Sequence, residues 1–123
     1  MQLLLTKEEV ITILYNCFCD SGITELYTCG VNLDYNQKDY NTAKKKLDDP
    51  CIEDIYVQML KDEKPLRFVD STESVLLSLS IATENFKLPE AIRSCYAILS
   101  EDYDAYACFY VLQFALYGKI IYC

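Results

Sequence analysis

The last 21 residues of the chain, YDAYACFYVLQFALYGKIIYC from Tyr103 to Cys123, constrain the fold more than any other stretch. A segment this apolar must insert into a membrane, form a core helix and strand, or present a docking surface to a partner. Asp104, Gln113 and Lys119 interrupt it, so it is too broken to span a bilayer. Ser100 reads as a helix N-cap, followed by Glu101 and Asp102, whose charges suit a helix N-terminus. The helix is expected to continue to Tyr117 and to stop at Gly118, and KIIYC then returns as a short closing strand. The tail is therefore expected to be a core helix with one tyrosine-rich edge.

Composition limits what surrounds that helix. A chain of 123 residues, 52% hydrophobic and 24% charged, is an ordinary folded composition and fits one domain with its own core. Nineteen acidic against 11 basic residues leave a net charge of -8, which argues against direct binding of nucleic acid, since phosphate contacts draw on Lys and Arg. An acidic surface of this kind suits solubility, or a basic partner such as a nucleic-acid-binding protein whose groove it occupies. The seven cysteines are an odd number, and MQLLLTKEEV has too short an apolar run for a signal peptide. Free, buried or semi-buried thiols in a reducing cytoplasm are the expectation.

Local signals place the other elements. Thr6 and Glu9 have the spacing of a capping box, and Val10, Ile11, Ile13, Leu14, Cys17 and Phe18 continue at helical spacing over residues 7 to 20, with Gly22 as a stop. Residues 25 to 33 suit a short irregular strand, and residues 36 to 47 an exposed helix or excursion with Lys44, Lys45 and Lys46 on a solvated face. Asp49 as N-cap and Pro50 at the first position predict a helix to about Lys61. PLRFVD and VLLSLSI, separated by four polar residues, read as an antiparallel hairpin near 65–81. Thr83 to Leu88 is a further helix candidate, and Pro89 either interrupts it or starts a new helix. The fold class is α+β, a single small domain over residues 1–123, with about four to five helices packed on a small antiparallel sheet.

The hairpin and the tail together resemble a family of small phage and prophage proteins. Its members read G-G-x-L-x-L-x-D, a polar stretch, then L-T-x-E-K-F, and end on D-A-x-x-A-D-x-I-x-Q-x-A-L-F-G-E-I-V-x-G. Leu66, Phe68 and Asp70 match the first pattern, and Ile81, Glu84 and Phe86 the second. Asp104, Ala105, Ala107, Gln113, Ala115, Leu116, Gly118, Ile120 and Ile121 align with the ending. Cys108, Tyr117, Lys119 and Cys123 depart from it. The resemblance covers the last half of the chain and implies a phage accessory setting in an infected bacterial host, without implying a reaction.

Residue chemistry points away from catalysis. The chain has no histidine, which removes the commonest general base and metal ligand. Cys17 and Cys19, two apart on a helix, face different directions and make a poor chelate. Cys29 beside Gly30 is the one loop-like nucleophile candidate. The carboxylate pairs Asp48 and Asp49, Glu53 and Asp54, and Glu101 and Asp102 each fall at an expected helix start, where the macrodipole accounts for them. Three glycines leave little for a phosphate cradle, and no nucleotide-binding glycine motif is present. No catalytic residue, metal or cofactor is expected.

Eleven tyrosines are the remaining compositional oddity. Tyr103, Tyr106 and Tyr110 lie at i, i+3 and i+7 of the expected last helix, so they suit either core packing or an interface stripe. The leading expectation is a non-catalytic, anti-CRISPR-like protein that binds and blocks a host defence protein. Asp48, Asp49, Glu53, Asp54, Glu101, Asp102 and Asp104 would face a basic groove, and Tyr103, Tyr106 and Tyr110 would anchor it. Two alternatives belong to other classes. One is a sponge for a nucleotide immune signal, with tyrosines stacking on the base at an oligomer interface; the other is a self-assembling virion or host-takeover component.

Overall fold

A computed structural model describes residues 4–122, with the backbone alone at Ala105. Its first helix begins where the capping box places it. Thr6 Oγ1 accepts from the Glu9 N–H at 3.1 Å, and Glu9 Oε1 accepts from the Thr6 N–H at 2.9 Å, opening α1 (Lys7–Cys19). Val10, Ile13, Leu14, Cys17 and Phe18 form its buried stripe.

Gly22 does not act as a stop. It is the first residue of a second helix, α2 (Gly22–Thr28), entered through Ser21 in the left-handed region at φ 73°. A Cβ on Gly22 would lie 2.5 Å from the Cys17 carbonyl oxygen, so only glycine permits the sharp α1–α2 corner. The expected strand over 25–33 shrinks accordingly to β1 (Asn32–Asp34). Asn36 caps α3 (Gln37–Lys45) by accepting from the Asp39 N–H at 3.1 Å. Lys44, Lys45 and Lys46 are exposed, and Lys46 pairs with Asp62 at 3.0 Å.

The fourth helix, α4 (Ile52–Lys61), starts two residues later than Asp49 and Pro50 suggested. Its cap is Cys51, whose N–H donates to Asp54 Oδ2 at 3.1 Å. Asp49 sits instead at φ 47° in the preceding turn. The helix ends on a Schellman motif: Glu63 at φ 61° donates its N–H to Leu60 O, and Lys64 donates to Met59 O.

The hairpin is present but shorter than expected, with β2 (Leu66–Val69) and β3 (Ser74–Leu77). Asp70 Oδ1 organises its turn, accepting from the N–H groups of Thr72 at 2.7 Å and Glu73 at 2.8 Å. The second half of VLLSLSI is helical, because Ser78 Oγ accepts from the Ile81 N–H and caps α5 (Leu79–Asn85). All three strands pair antiparallel in the order β1-β2-β3, which sets Phe68 between Leu33 and Val75.

Pro89 opens α6 (Pro89–Leu99). Ser100 then ends α6 and does not start the next helix. The last helix, α7 (Ala105–Tyr117), is capped by Asp104, whose carboxylate accepts from the Ala107 N–H at 3.0 Å. Gly118 closes it in the left-handed conformation at φ 71°. Seven helices and a three-stranded antiparallel sheet thus make a small α+β domain among the described residues, more helices than the four to five expected, with α2 falling largely on an expected strand and α5 taking over the end of the expected hairpin.

Every residue from Val111 to Leu116 is buried, and α7 is packed by α1, α2, α5, α6 and β3. The expected KIIYC strand does not form over 119–122, and Cys123 lies outside the described residues. Those residues instead fold back on the buried Gln113. Its Oε1 accepts from the N–H groups of Ile121 and Tyr122, each at 2.8 Å, and its Nε2 donates to Tyr122 O at 3.0 Å.

Two substitutions test this packing. Gly22→Ala is expected to destabilise the fold by about 2 kcal/mol or more, read from denaturant midpoints, because its Cβ meets backbone and not a movable side chain. Gln113→Leu is expected to cost about 1–3 kcal/mol and to accelerate amide exchange selectively at Ile121 and Tyr122. Unchanged exchange there would show that the tail is held by other contacts.

Candidate functional site

Two acidic segments far apart in sequence face each other in the fold. The α3–α4 turn supplies Asp48, the first turn of α4 supplies Asp54, and the α6–α7 loop supplies Glu101. All three line one cleft of about 500 Å³ whose floor is the side of α1 carrying Tyr15 and Asn16. Asp49 and Asp102 are exposed beside it in the same two segments, Glu53 is half-buried in the first turn of α4, and Asp104 follows at the end of the loop.

The helix-start explanation holds for only part of this set. Glu53 and Asp54 do lie in the first turn of α4, and Asp104 is a true N-cap. Asp48, Asp49, Glu101 and Asp102 lie in loops outside any helix, so their expected pairing with a macrodipole is not realised. Asp49 and Glu101 both adopt positive φ, 47° and 60°, a conformation that costs non-glycine residues free energy. Glu101 and Asp102 instead close α6 as a Schellman motif, their N–H groups donating to Ile98 O at 3.1 Å and Ala97 O at 3.0 Å, while the carboxylates of all four acids cap no helix. Asp54 is different: the Cys51 thiol and N–H both donate to its carboxylate and hold it below its ordinary pKa.

The tyrosines separate into groups that the sequence spacing did not distinguish. Tyr103 is not on the last helix. It precedes the cap, and its hydroxyl donates to Asp20 Oδ2 at the end of α1, which ties the acidic loop down. That hydrogen bond, with burial and the Asp20 charge adding to it, raises the Tyr103 pKa. Tyr106 and Tyr110 do share an edge of α7, with ring centroids 6.3 Å apart and planes 24° from parallel. Tyr106 is 64% exposed and Tyr110 half-buried. Tyr35, Tyr40 and Tyr56 form a separate cluster near Phe18, with Tyr35 and Tyr40 stacked at 4.8 Å. Burial there pushes Tyr56 up to about 12. Nothing in their spacing, 35, 40 and 56, signalled that contact, because it joins two helices through a loop.

Cys17, Cys19 and Cys95 resist activation, whereas a hydrogen bond with Cys17 lowers the pKa of Cys108. Burial pushes Cys95 up to about 12 and Cys17 well above its ordinary value, and it also raises Cys19. Protonated thiols are poor nucleophiles and poor metal ligands. Cys17 is buried and Cys19 exposed, as their spacing predicts, but Cys19 and Cys51 are more open than the buried or semi-buried thiols expected. Cys29 is the half-buried C-cap of α2. Among the described residues no group of three or more Cys, Asp or Glu side chains is arranged to hold a metal ion, and no helix is long and apolar enough to cross a membrane.

The fold and this cleft define a small α+β protein with an acidic face. No protein-family model, curated protein or solved structure matches the chain.

The Tyr103 hydroxyl sets a pH dependence. Its pKa is raised by folding, so the stability it contributes is complete below the ordinary tyrosine value near 10 and is lost as pH rises through the folded value. Tyr103→Phe is expected to cost about 1 kcal/mol at neutral pH and to flatten the alkaline fall in the thermal midpoint. An alkaline limb of undiminished slope in the variant would assign it to another group.

Proposed function

We propose that this protein is a non-catalytic binder that occupies a basic surface of a host protein, with its acidic cleft and the Tyr106–Tyr110 edge as the contact. One observation carries the reading: Asp48 and Glu101, from segments some 50 residues apart, line one cleft with Asp49 and Asp102 exposed in the same two segments, and none of these four carboxylates caps a helix. Clustering like charges on one face costs folding free energy, so a face that gathers them is suited to a partner of opposite sign. Tyr106 adds a large amphipathic ring at low entropic cost, the kind of side chain that anchors interfaces.

The phage accessory setting implied by the family resemblance makes a nucleic-acid-binding defence effector the partner we favour. Such effectors carry basic grooves that an acidic protein can fill in place of a phosphate backbone. The nucleotide-sponge alternative, in which tyrosines close over a base, has less support. Neither of the two large clefts is lined by Tyr103, Tyr106 or Tyr110.

The test uses surface acids whose carboxylates cap no helix. In a bacterial host carrying a nucleic-acid-guided defence, the wild-type protein is expected to restore plaque formation by a targeted phage. The triple variant Asp48→Lys, Glu101→Lys, Asp102→Lys is expected to lose at least tenfold of that effect with its thermal midpoint retained, and Tyr106→Ala to lose a comparable share. Protection by the triple variant at the wild-type level would overturn the charge-based contact. Asp104 is left intact because its substitution would uncap α7.

A further inference from the structure

A second cleft, of about 580 Å³, lies at the opposite end of α4 from the acidic turn. It is bounded by the start of α1, the end of α4 and the start of α5, and three lysines border it: Lys7, Lys61 and Lys64. In a chain with 11 basic residues and a net charge of -8, three lysines at one concavity are a local reversal of sign. The ion pairs among the described residues involve Lys46, Arg67 and Lys87, so none of the three is already committed to a carboxylate. Two acids also border the cleft. Glu84 is held by Lys87 at 2.9 Å, which leaves Glu63 as the single uncompensated negative charge.

The dipole of α4 accounts for Lys61 in its last turn, but folding does not account for Lys7 and Lys64. Lys7 is the first residue of α1, where a cation opposes the positive end of the helix dipole. Lys64 follows Glu63, a non-glycine residue held at φ 61° in the position of the Schellman motif where glycine is the easy choice. Both backbones are nevertheless rigid, Lys7 behind the Thr6–Glu9 capping box and Lys64 through its N–H bond to Met59 O at 2.9 Å. Leu60 and Leu79 line the cleft together with the three lysines and Ser80. A cleft of several hundred Å³ lined by apolar side chains and a few charges has the dimensions and chemistry of a small-ligand site.

We infer that this lysine-rimmed cleft binds a phosphate-bearing small molecule of about mononucleotide size, its phosphate met by Lys7, Lys61 and Lys64 and its apolar or aromatic body resting on Leu60 and Leu79. The site shares Lys61 alone with the acidic cleft and stands or falls independently of the partner proposed there. Tyrosine stacking plays no part in it.

Adenosine monophosphate and inorganic phosphate serve as probes, since both bring one phosphate and only the first brings a body. Titration of the full chain, followed by amide chemical shifts at low and physiological salt, is expected to give saturable 1:1 binding of adenosine monophosphate with shifts centred on residues 60–64 and 78–83. Inorganic phosphate is expected to bind at least tenfold more weakly. The double variant Lys7→Ala, Lys64→Ala is expected to weaken adenosine monophosphate roughly tenfold or more, whereas Lys44→Ala, Lys45→Ala, on the solvated face of α3, leaves it within about twofold. These lysines are exposed, so both variants are expected to fold. Absence of saturation up to about 10 mM, equal affinity for the two probes, or equal loss in the two double variants would each overturn the inference.

Discussion

The burial of α7 is the constraint on which the rest of the structure depends. Six consecutive buried residues, Val111 to Leu116, take in every side of a helix, so this part of α7 has to be covered all round. Here α1, α2, α5, α6 and β3 provide that cover. A central helix also has to satisfy its free backbone groups away from water. Asp104 accepts at its start, Gly118 turns the chain out at its end, and Asn85 Nδ2 reaches from α5 to donate to Ala115 O at 3.0 Å. The one polar residue inside the run, Gln113, is fully buried, and its amide spends both ends on the backbone of the terminal residues. A buried amide left unpaired would be costly, so the tail and Gln113 specify each other.

Several residues that carry the phage-family resemblance are accounted for by folding in this chain. Asp70 orders the hairpin turn and also accepts from the Tyr122 hydroxyl at 3.2 Å, which connects the sheet to the tail. The backbone N–H groups of Thr72 and Glu73 hold its carboxylate below the ordinary range. Asp104, Gln113 and Gly118 are cap, tail anchor and stop of one helix. At these positions the pattern describes how the last half of such a chain is built. The acids at 48–49 and 101–102 and the lysines at 7, 61 and 64 are residues the pattern does not name.

The two clefts give α4 an electrostatic polarity. Its first turn carries Glu53 and Asp54 and its last turn Lys61, the arrangement that the helix dipole favours. Loops then extend each sign beyond what the dipole needs, acids at 48–49 and 101–102, lysines at 7 and 64. Lys61 borders both clefts, so the two surfaces adjoin without merging.

Signals contained within about one helical turn were legible in the sequence. Thr6 with Glu9 opened α1, Pro89 opened α6 and Gly118 ended α7, because capping joins residues no more than four apart. The α+β class and the hairpin followed from periodicity. Where two local signals competed, packing chose between them. Ser100 and Asp104 could each cap the last helix, and anchoring Tyr103 on Asp20 leaves the chain to start at Asp104. Leu79 and Ile81 suit a strand or a helix, and Ser78 resolves them as helix where α5 can cover α7. Residues 119–122 suit a strand, yet the buried Gln113 offers them better partners. The candidate site was legible only as a set of charges. Asp48 and Glu101 line one cleft because α4 and α6 both pack against α1, which places segments some 50 residues apart on the same side of the molecule. Composition thus determined the sign of this protein's surface, while tertiary structure decided where each sign is concentrated.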